Sequence, residues 1–178
     1  RWPKLKKLVR KELDQIIKRK GLDRADVEES LVPDFSLRDG TAALAFEGAI
    51  AHLALGLPDK PSITWKLSDG KSARTLPSKL KAANPSAAEE VKQPVTDIER
   101  MRAAQRTRLD LLMRRPRTWP IALWRQRYLD HGLVGTLARR LIWLIDDIPA
   151  IWREAALVDI DGKPIAPGDN ATVQMWHP

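Results

Sequence analysis

The chain contains no cysteine. A disulfide framework, a cysteine-ligated zinc site, an iron–sulfur cluster and a thiol nucleophile are therefore excluded, while the redox compartment stays undetermined. Histidine is scarce as well: His52, His131 and His177 stand far apart, in neither HxxxH nor HExxH spacing, so a helical zinc site has no support. No glycine run of the P-loop or dinucleotide-binding kind is present, and no serine or threonine occupies a nucleophile-elbow context. Long hydrophobic runs are missing too. The most apolar window, Thr41 to Pro58, holds Glu47 and His52 and is interrupted by two glycines, whereas a membrane span needs about 20 predominantly apolar residues. Neither a repeat of fixed period nor a low-complexity tract occurs.

What remains is a basic chain of globular composition. Its 178 residues carry 31 basic and 23 acidic side chains, for a net charge of +8, with 43% hydrophobic and 30% charged residues. A chain of this length buries roughly 70% of the surface its unfolded form exposes, enough to hold one core without cross-links. The charge is unevenly spread. Residues 1–20 carry nine basic and two acidic side chains, residues 21–98 nine and twelve, residues 99–140 eleven and three, and residues 141–178 two and six. Two positive segments of this kind could attract a polyanion, or could simply be the solvated faces of helices.

The opening segment is an amphipathic helix by its spacing. Leu5, Leu8, Val9, Leu13, Ile16 and Ile17 recur at intervals of three and four, Arg19 and Lys20 suit the negative end of the dipole, and Gly21 supplies a left-handed stop. A second short helix is expected from an Asp23 cap to just before Pro33. From residue 34 the pattern turns to strands. Asp39-Gly40, between Phe35-Ser36-Leu37 and Leu44-Ala45-Phe46, and Asp69-Gly70 after Ile63 to Leu67 predict hairpin turns; Ala42 to Leu57 is ambiguous, its Ala and Leu content favouring helix, while Leu44, Phe46, Ile50, Leu53, Leu55 and Leu57 fit the preferred reading, strands of a small antiparallel sheet broken at Gly48.

Helical patterning returns after Leu76. Thr96 and Glu99 predict a capping box opening a helix that ends at Arg115-Pro116; Pro120 opens a second helix that stops at His131-Gly132; and a third is predicted from Val134 through Ile145 to Pro149. On that reading Asp146 and Asp147 sit at a helix C-terminus, where their charge opposes the dipole. Asp161-Gly162 predicts a further hairpin, and Thr172 to Trp176 alternates like a strand.

One stretch interleaves guanidinium groups with aromatic rings: Arg114, Arg115, Pro116, Arg117, Thr118 and Trp119, then Trp124, Arg125, Gln126, Arg127 and Tyr128. Arginine neutralises phosphates and an exposed aromatic ring stacks a base, the equipment of single-strand nucleic-acid binding. The same tryptophans could equally fill a helical core. The candidate nucleic-acid contacts are Arg100, Arg102, Arg106, Arg108, Arg114, Arg115, Arg117, Arg125 and Arg127. No catalytic residue, metal-ligand set or cofactor site is read from the sequence.

The order of certain segments resembles a known family. Val32 to Gly40, then Asp69-Gly70-Lys71 with Thr75-Leu76-Pro77, then Arg106 to Leu109 with Arg117-Thr118-Trp119, are similar to the bacterial domain of unknown function DUF4132. His131, Leu137 to Trp143, the Asp161-Gly162 turn and the closing His177-Pro178 continue the likeness, which spans about residues 30–178. The resemblance implies kinship with molybdate-metabolism-regulator-like proteins, some fused to a nucleic-acid-associated WGR domain. It carries no catalytic residues.

The expectation is a single α+β domain over 1–178, a fragment of a larger protein. It comprises a helical lead-in over 1–33, β hairpins over 34–75, a three-helix block over 76–149 and a closing β element over 150–178. The expected function is that of a non-catalytic interaction module in a bacterial, cytoplasmic, regulatory or nucleic-acid-associated protein. Its partners would be a nucleic acid or other polyanion and the remainder of its own polypeptide, without membrane contact and with oligomeric state open. The alternatives are an enzyme with a pocket between sheet and helices, using Asp146 and Asp147, and a structural domain docking the rest of its chain.

Overall fold

A computed structural model describes residues 2–56, 60–83 and 85–176 and, within them, all side chains but those of residues 2–4, 6 and 88. Leu57, Pro58 and the closing His177-Pro178, which entered the sequence reading, lie outside the described residues. The chain divides into two compact units, Arg1–Pro33 and Asp34–Pro178.

In the first unit, α1 (Trp2–Lys20) stops at Gly21, whose φ of 62° lets the backbone turn left-handed. Gly21 N then donates to Lys18 O and Leu22 N to Ile17 O, which satisfies carbonyls the helix end would otherwise orphan. Asp23 caps α2 (Arg24–Ser30) by accepting from Asp26 N at 3.0 Å. Arg24 joins the two helices through ion pairs to Asp14 and Glu28. Leu5, Leu8 and Val9 stay at least half exposed, so the apolar stripe of α1 is not used up within the unit.

The second unit begins with Phe35 and Ser36, both in the left-handed region at φ 55°. That conformation rules out the strand expected over 35–37, because it breaks the pleat; Ser36 N donates to the Asp34 carboxylate instead. Asp39-Gly40 is a tight turn, but it closes only the Arg38–Thr41 bridge. The hairpin proper lies one strand later. β1 (Thr41–Phe46) and β2 (Ala49–Ala54) meet at Glu47-Gly48, and β3 (Ser62–Leu67) and β4 (Ser72–Ala73) complete an antiparallel meander. Burial alternates along β2, with Ala49, Ala51 and Leu53 inward and Ile50 and His52 outward.

After α3 (Ser78–Ala83), α4 runs from Ala87 to Arg114 and lies on the inner face of this sheet. Its Ala87 and Val91 pack with Ala49, Ala51 and Trp65, and its Ile98 with Leu37, Leu53 and Leu133. Small residues on β2 make room for the indole of Trp65 beneath the helix. The expected capping box is absent, since Thr96 lies inside α4 and its hydroxyl donates to Lys92 O. The helix begins nine residues earlier, at Ala87, and passes through Pro94.

A second antiparallel sheet has the order β5-β9-β6-β7-β8, where β5 is Thr118–Pro120, β6 Trp143–Ile145, β7 Ile148–Arg153, β8 Ala156–Val158 and β9 Thr172–Met175. Between β5 and β6 come α5 (Ile121–Trp124), a π-helical turn (Arg125–Leu129) and α6 (Gly135–Ala138). The three helices after residue 86 thus occur in order, but the third ends at Ala138 and does not continue to Pro149. Trp143 and Ile145 are buried with Leu144 between them half-buried, a strand alternation that paired neighbours on both sides enforce. Asp146 and Asp147, with φ 46° and 65°, form the two-residue turn from β6 to β7 and belong to no helix end. The core here is aromatic: Trp119, Trp124, Tyr128 and Trp143 are almost wholly buried, with ring centroids 5.0–6.3 Å apart. No helix among the described residues is long and apolar enough to cross a membrane. The architecture is α+β.

Candidate polyanion surface and an arginine cluster

Helix α4 distributes its arginines around its circumference. At 3.6 residues per turn, Arg102 shares the inward line of Ile98, Gln105 and Leu109, and it is buried, donating to Gly56 O at 2.9 Å. Arg100 and Arg114 fall on the outer line and are exposed; Arg106 and Arg108 lie on opposite flanks. Arg100 makes a long ion pair with Asp97 at 3.7 Å. Arg106, Arg114 and Arg115 are exposed, and none of them forms an ion pair with a described residue. Asp110, one turn from both Arg106 and Arg114, interrupts their ridge with one negative charge.

The remaining arginines converge elsewhere. Arg108 Nη2 donates to the Tyr128 hydroxyl at 3.2 Å, Nη1 donates to Gln105 Oε1 at 3.5 Å, and the guanidinium carbon stands 6.0 Å from the Tyr128 ring. Arg117 lies over the Trp119 ring at 5.7 Å, a cation–π contact. The Trp119 and Tyr128 rings meet edge to face at 5.0 Å, so the two arginines are seated on adjoining aromatics. Burial pushes the Tyr128 phenol above its ordinary pKa, opposed by the positive charges of Arg108, Arg117 and Arg127. Arg108, Arg117 and Arg127 are all half-buried. Arg125 is exposed and pairs with Asp130 at 3.2 Å.

Trp119 and Trp124 are core residues, unavailable for stacking bases. Tyr128, the chain's one tyrosine and the last residue of that arginine–aromatic stretch, is buried as well. Asp146 Oδ1 accepts from Thr172 N at 2.8 Å and from the Thr172 hydroxyl at 3.1 Å, tying the β6–β7 turn to β9. This bonding gives it a structural task. His131 Nδ1 accepts from Leu133 N and Val134 N, both at 3.2 Å, so it caps the turn that follows it. Gly132 beside it admits no side chain, because a Cβ would lie 2.1 Å from Leu37 O.

Clefts open to solvent occur among the described residues. One of about 280 Å³ is lined by Ile63, Trp65, Arg74, Thr75, Lys81 and Val91 among others; another of about 390 Å³ lies between Ile121, Arg125 and the Pro167 to Asp169 loop. Among the described residues, no group of three or more His, Cys, Asp or Glu side chains could hold a metal ion.

Among protein families, the Domain of unknown function (DUF4132) matches residues 70–178. No curated protein and no solved structure matches the chain.

Proposed function

The chain belongs to the DUF4132 family, whose description assigns no activity, and from its surface we propose that it is a non-catalytic interaction module binding nucleic-acid phosphates through Arg100, Arg106, Arg114 and Arg115. One observation carries this: the exposed guanidinium groups on and just beyond α4, three of them without an ion-pair partner among the described residues. Because the neighbouring indoles are internal, contact would run along the phosphate backbone without base stacking, and it would be governed by counterion release. The proposal extends to a place in a larger bacterial, cytoplasmic regulatory protein akin to molybdate-metabolism-regulator-like and WGR-fused proteins. The exposed Leu5, Leu8 and Val9 of α1 support a second partner, the remainder of its own polypeptide.

The test is duplex-DNA binding measured by fluorescence anisotropy across a salt series. The expected outcome is affinity that falls steeply with salt, and a slope of log K against log salt that becomes shallower by about 2 to 3 when Arg106, Arg114 and Arg115 are all replaced by alanine. Salt-insensitive binding, or an unchanged slope in that variant, overturns the proposal.

A further inference from the structure

We propose that the cleft between β3, the segment after β4, α3 and α4 binds a small ring-bearing carboxylate, with its ring on the apolar floor and its acid group between Arg74 and Lys81. The lining is of two kinds. Ile63 and Trp65 of β3, Leu76, and Val91 of α4 supply apolar surface, whereas Arg74, Thr75 and Lys81 are exposed and edge it with a guanidinium, a hydroxyl and an ammonium group. No carboxylate lines the cleft, and neither Arg74 nor Lys81 forms an ion pair with a described residue. The backbone beneath both charges is anchored. Ala73 precedes Arg74, Leu76 follows it closely and Leu80 precedes Lys81, and all three pack against the buried cluster around Trp65 and Val91. The charged heads themselves stay at the solvent edge.

Size, polarity and charge together select the ligand class. A volume of about 280 Å³ lies just below the usual range of small-molecule pockets, which suits a molecule of one or two rings and not a nucleotide cofactor or a polymer. Trp65 already meets Phe46 with ring centroids 5.6 Å apart, so a flat ligand ring joins an aromatic contact that is in place before it arrives. Two positive charges with no acid among the lining residues favour an anion over a neutral molecule of the same shape. The planar fork of Arg74 matches the paired oxygens of a carboxylate, and the Thr75 hydroxyl adds a further donor. Arg106, Arg114 and Arg115 do not line the cleft, so this site is separate from the surface proposed to contact nucleic acid.

The experiment follows the Trp65 indole N–H signal of the isotope-labelled 178-residue chain by NMR during titration with naphthoate, with naphthamide and inorganic phosphate as comparison arms. The expected result is a saturable shift with naphthoate, weaker binding of the neutral amide, and weaker binding still of phosphate, which brings charge without an apolar body. Arg74→Gln and Lys81→Gln each weaken naphthoate about threefold and together about tenfold, the loss of two charge contacts at a solvent-facing edge, and leave naphthamide unchanged. Both residues are exposed, so the variants keep the fold. The Arg106, Arg114 and Arg115 triple variant binds naphthoate as the wild-type chain does, so failure of one proposal is separable from failure of the other. No saturable shift of the Trp65 signal, equal affinity for acid and amide, or undiminished naphthoate binding by the Arg74→Gln, Lys81→Gln double variant overturns the site.

Discussion

Tyr128 is the residue on which the second sheet's chemistry turns. Its phenol is buried among Trp119, Trp124 and Trp143, and that burial raises its pKa, while Arg108 first and then Arg117 and Arg127 pull it back. A raised folded-state pKa contributes stability that is complete below the unfolded value and is lost as pH climbs past it. The unfolded phenol ionises near pH 10, so the loss belongs to the alkaline window above about pH 10. Because the chain has one tyrosine, tyrosinate absorbance near 295 nm reads this group alone. We expect Tyr128 to ionise later than free tyrosine, and Arg108→Ala to delay it further by removing both a charge and a hydrogen-bond donor. An unshifted titration in the wild-type chain would show that the phenol is solvated. At this scale the sequence was partly readable. Asp23, Gly21 and Asp69-Gly70 do what their types predict, because caps and turns are local. Arg102 and Tyr128 do not, because whether a side chain on a basic helix turns inward depends on what the sheet beneath it presents.

At the scale of elements, periodicity served where an element was long or bounded by its own turn residues. α1 and the meander from β1 to β4 follow from spacing and from glycine placement. The run from Val134 to Ile145 failed because intervals of three and four can also arise from a short helix followed by a three-residue strand. What decides between them is pairing with β7 and β9, which is remote in sequence. The β6–β7 turn makes this concrete. Asp147 holds φ 65° without being glycine, a conformation that costs a residue with a Cβ a fraction to about 1–2 kcal/mol, least for Asn and Asp. Asp147→Gly should therefore stabilise the chain by about 0.5 kcal/mol. Asp146→Ala should destabilise it by about 1 kcal/mol, since it strips two hydrogen bonds from Thr172. In thermal unfolding these correspond to about 1–2 °C upward and about 2–4 °C downward. If both substitutions lower the midpoint equally, the turn is held by its carboxylates and not by its backbone angles.

For the whole molecule, the charge map and the unit boundary bear on one another. Residues 1–33 carry ten basic and six acidic side chains, so half of the net charge of +8 belongs to the two-helix unit. The other unit contains both sheets, α4 and every buried aromatic ring described above, and its cores are built from its own residues. A core that draws on no residue before Asp34 should form without them. We expect residues 34–178 alone to fold cooperatively, with a midpoint within about 3 °C of the 178-residue chain. Affinity for DNA should fall slightly through the lost charge, more at low salt than at high. The exposed stripe of α1 gives the complementary expectation. On the proposal that the chain docks the remainder of a larger polypeptide, amide exchange across Leu5 to Ile17 in that polypeptide should be slower than in the 178-residue chain, because burial of the stripe would raise the free energy of local opening. Equal exchange in the two would leave α1 a solvated helix and remove the docking role, while a 34–178 chain that fails to fold would show that the cores of the second unit depend on the first.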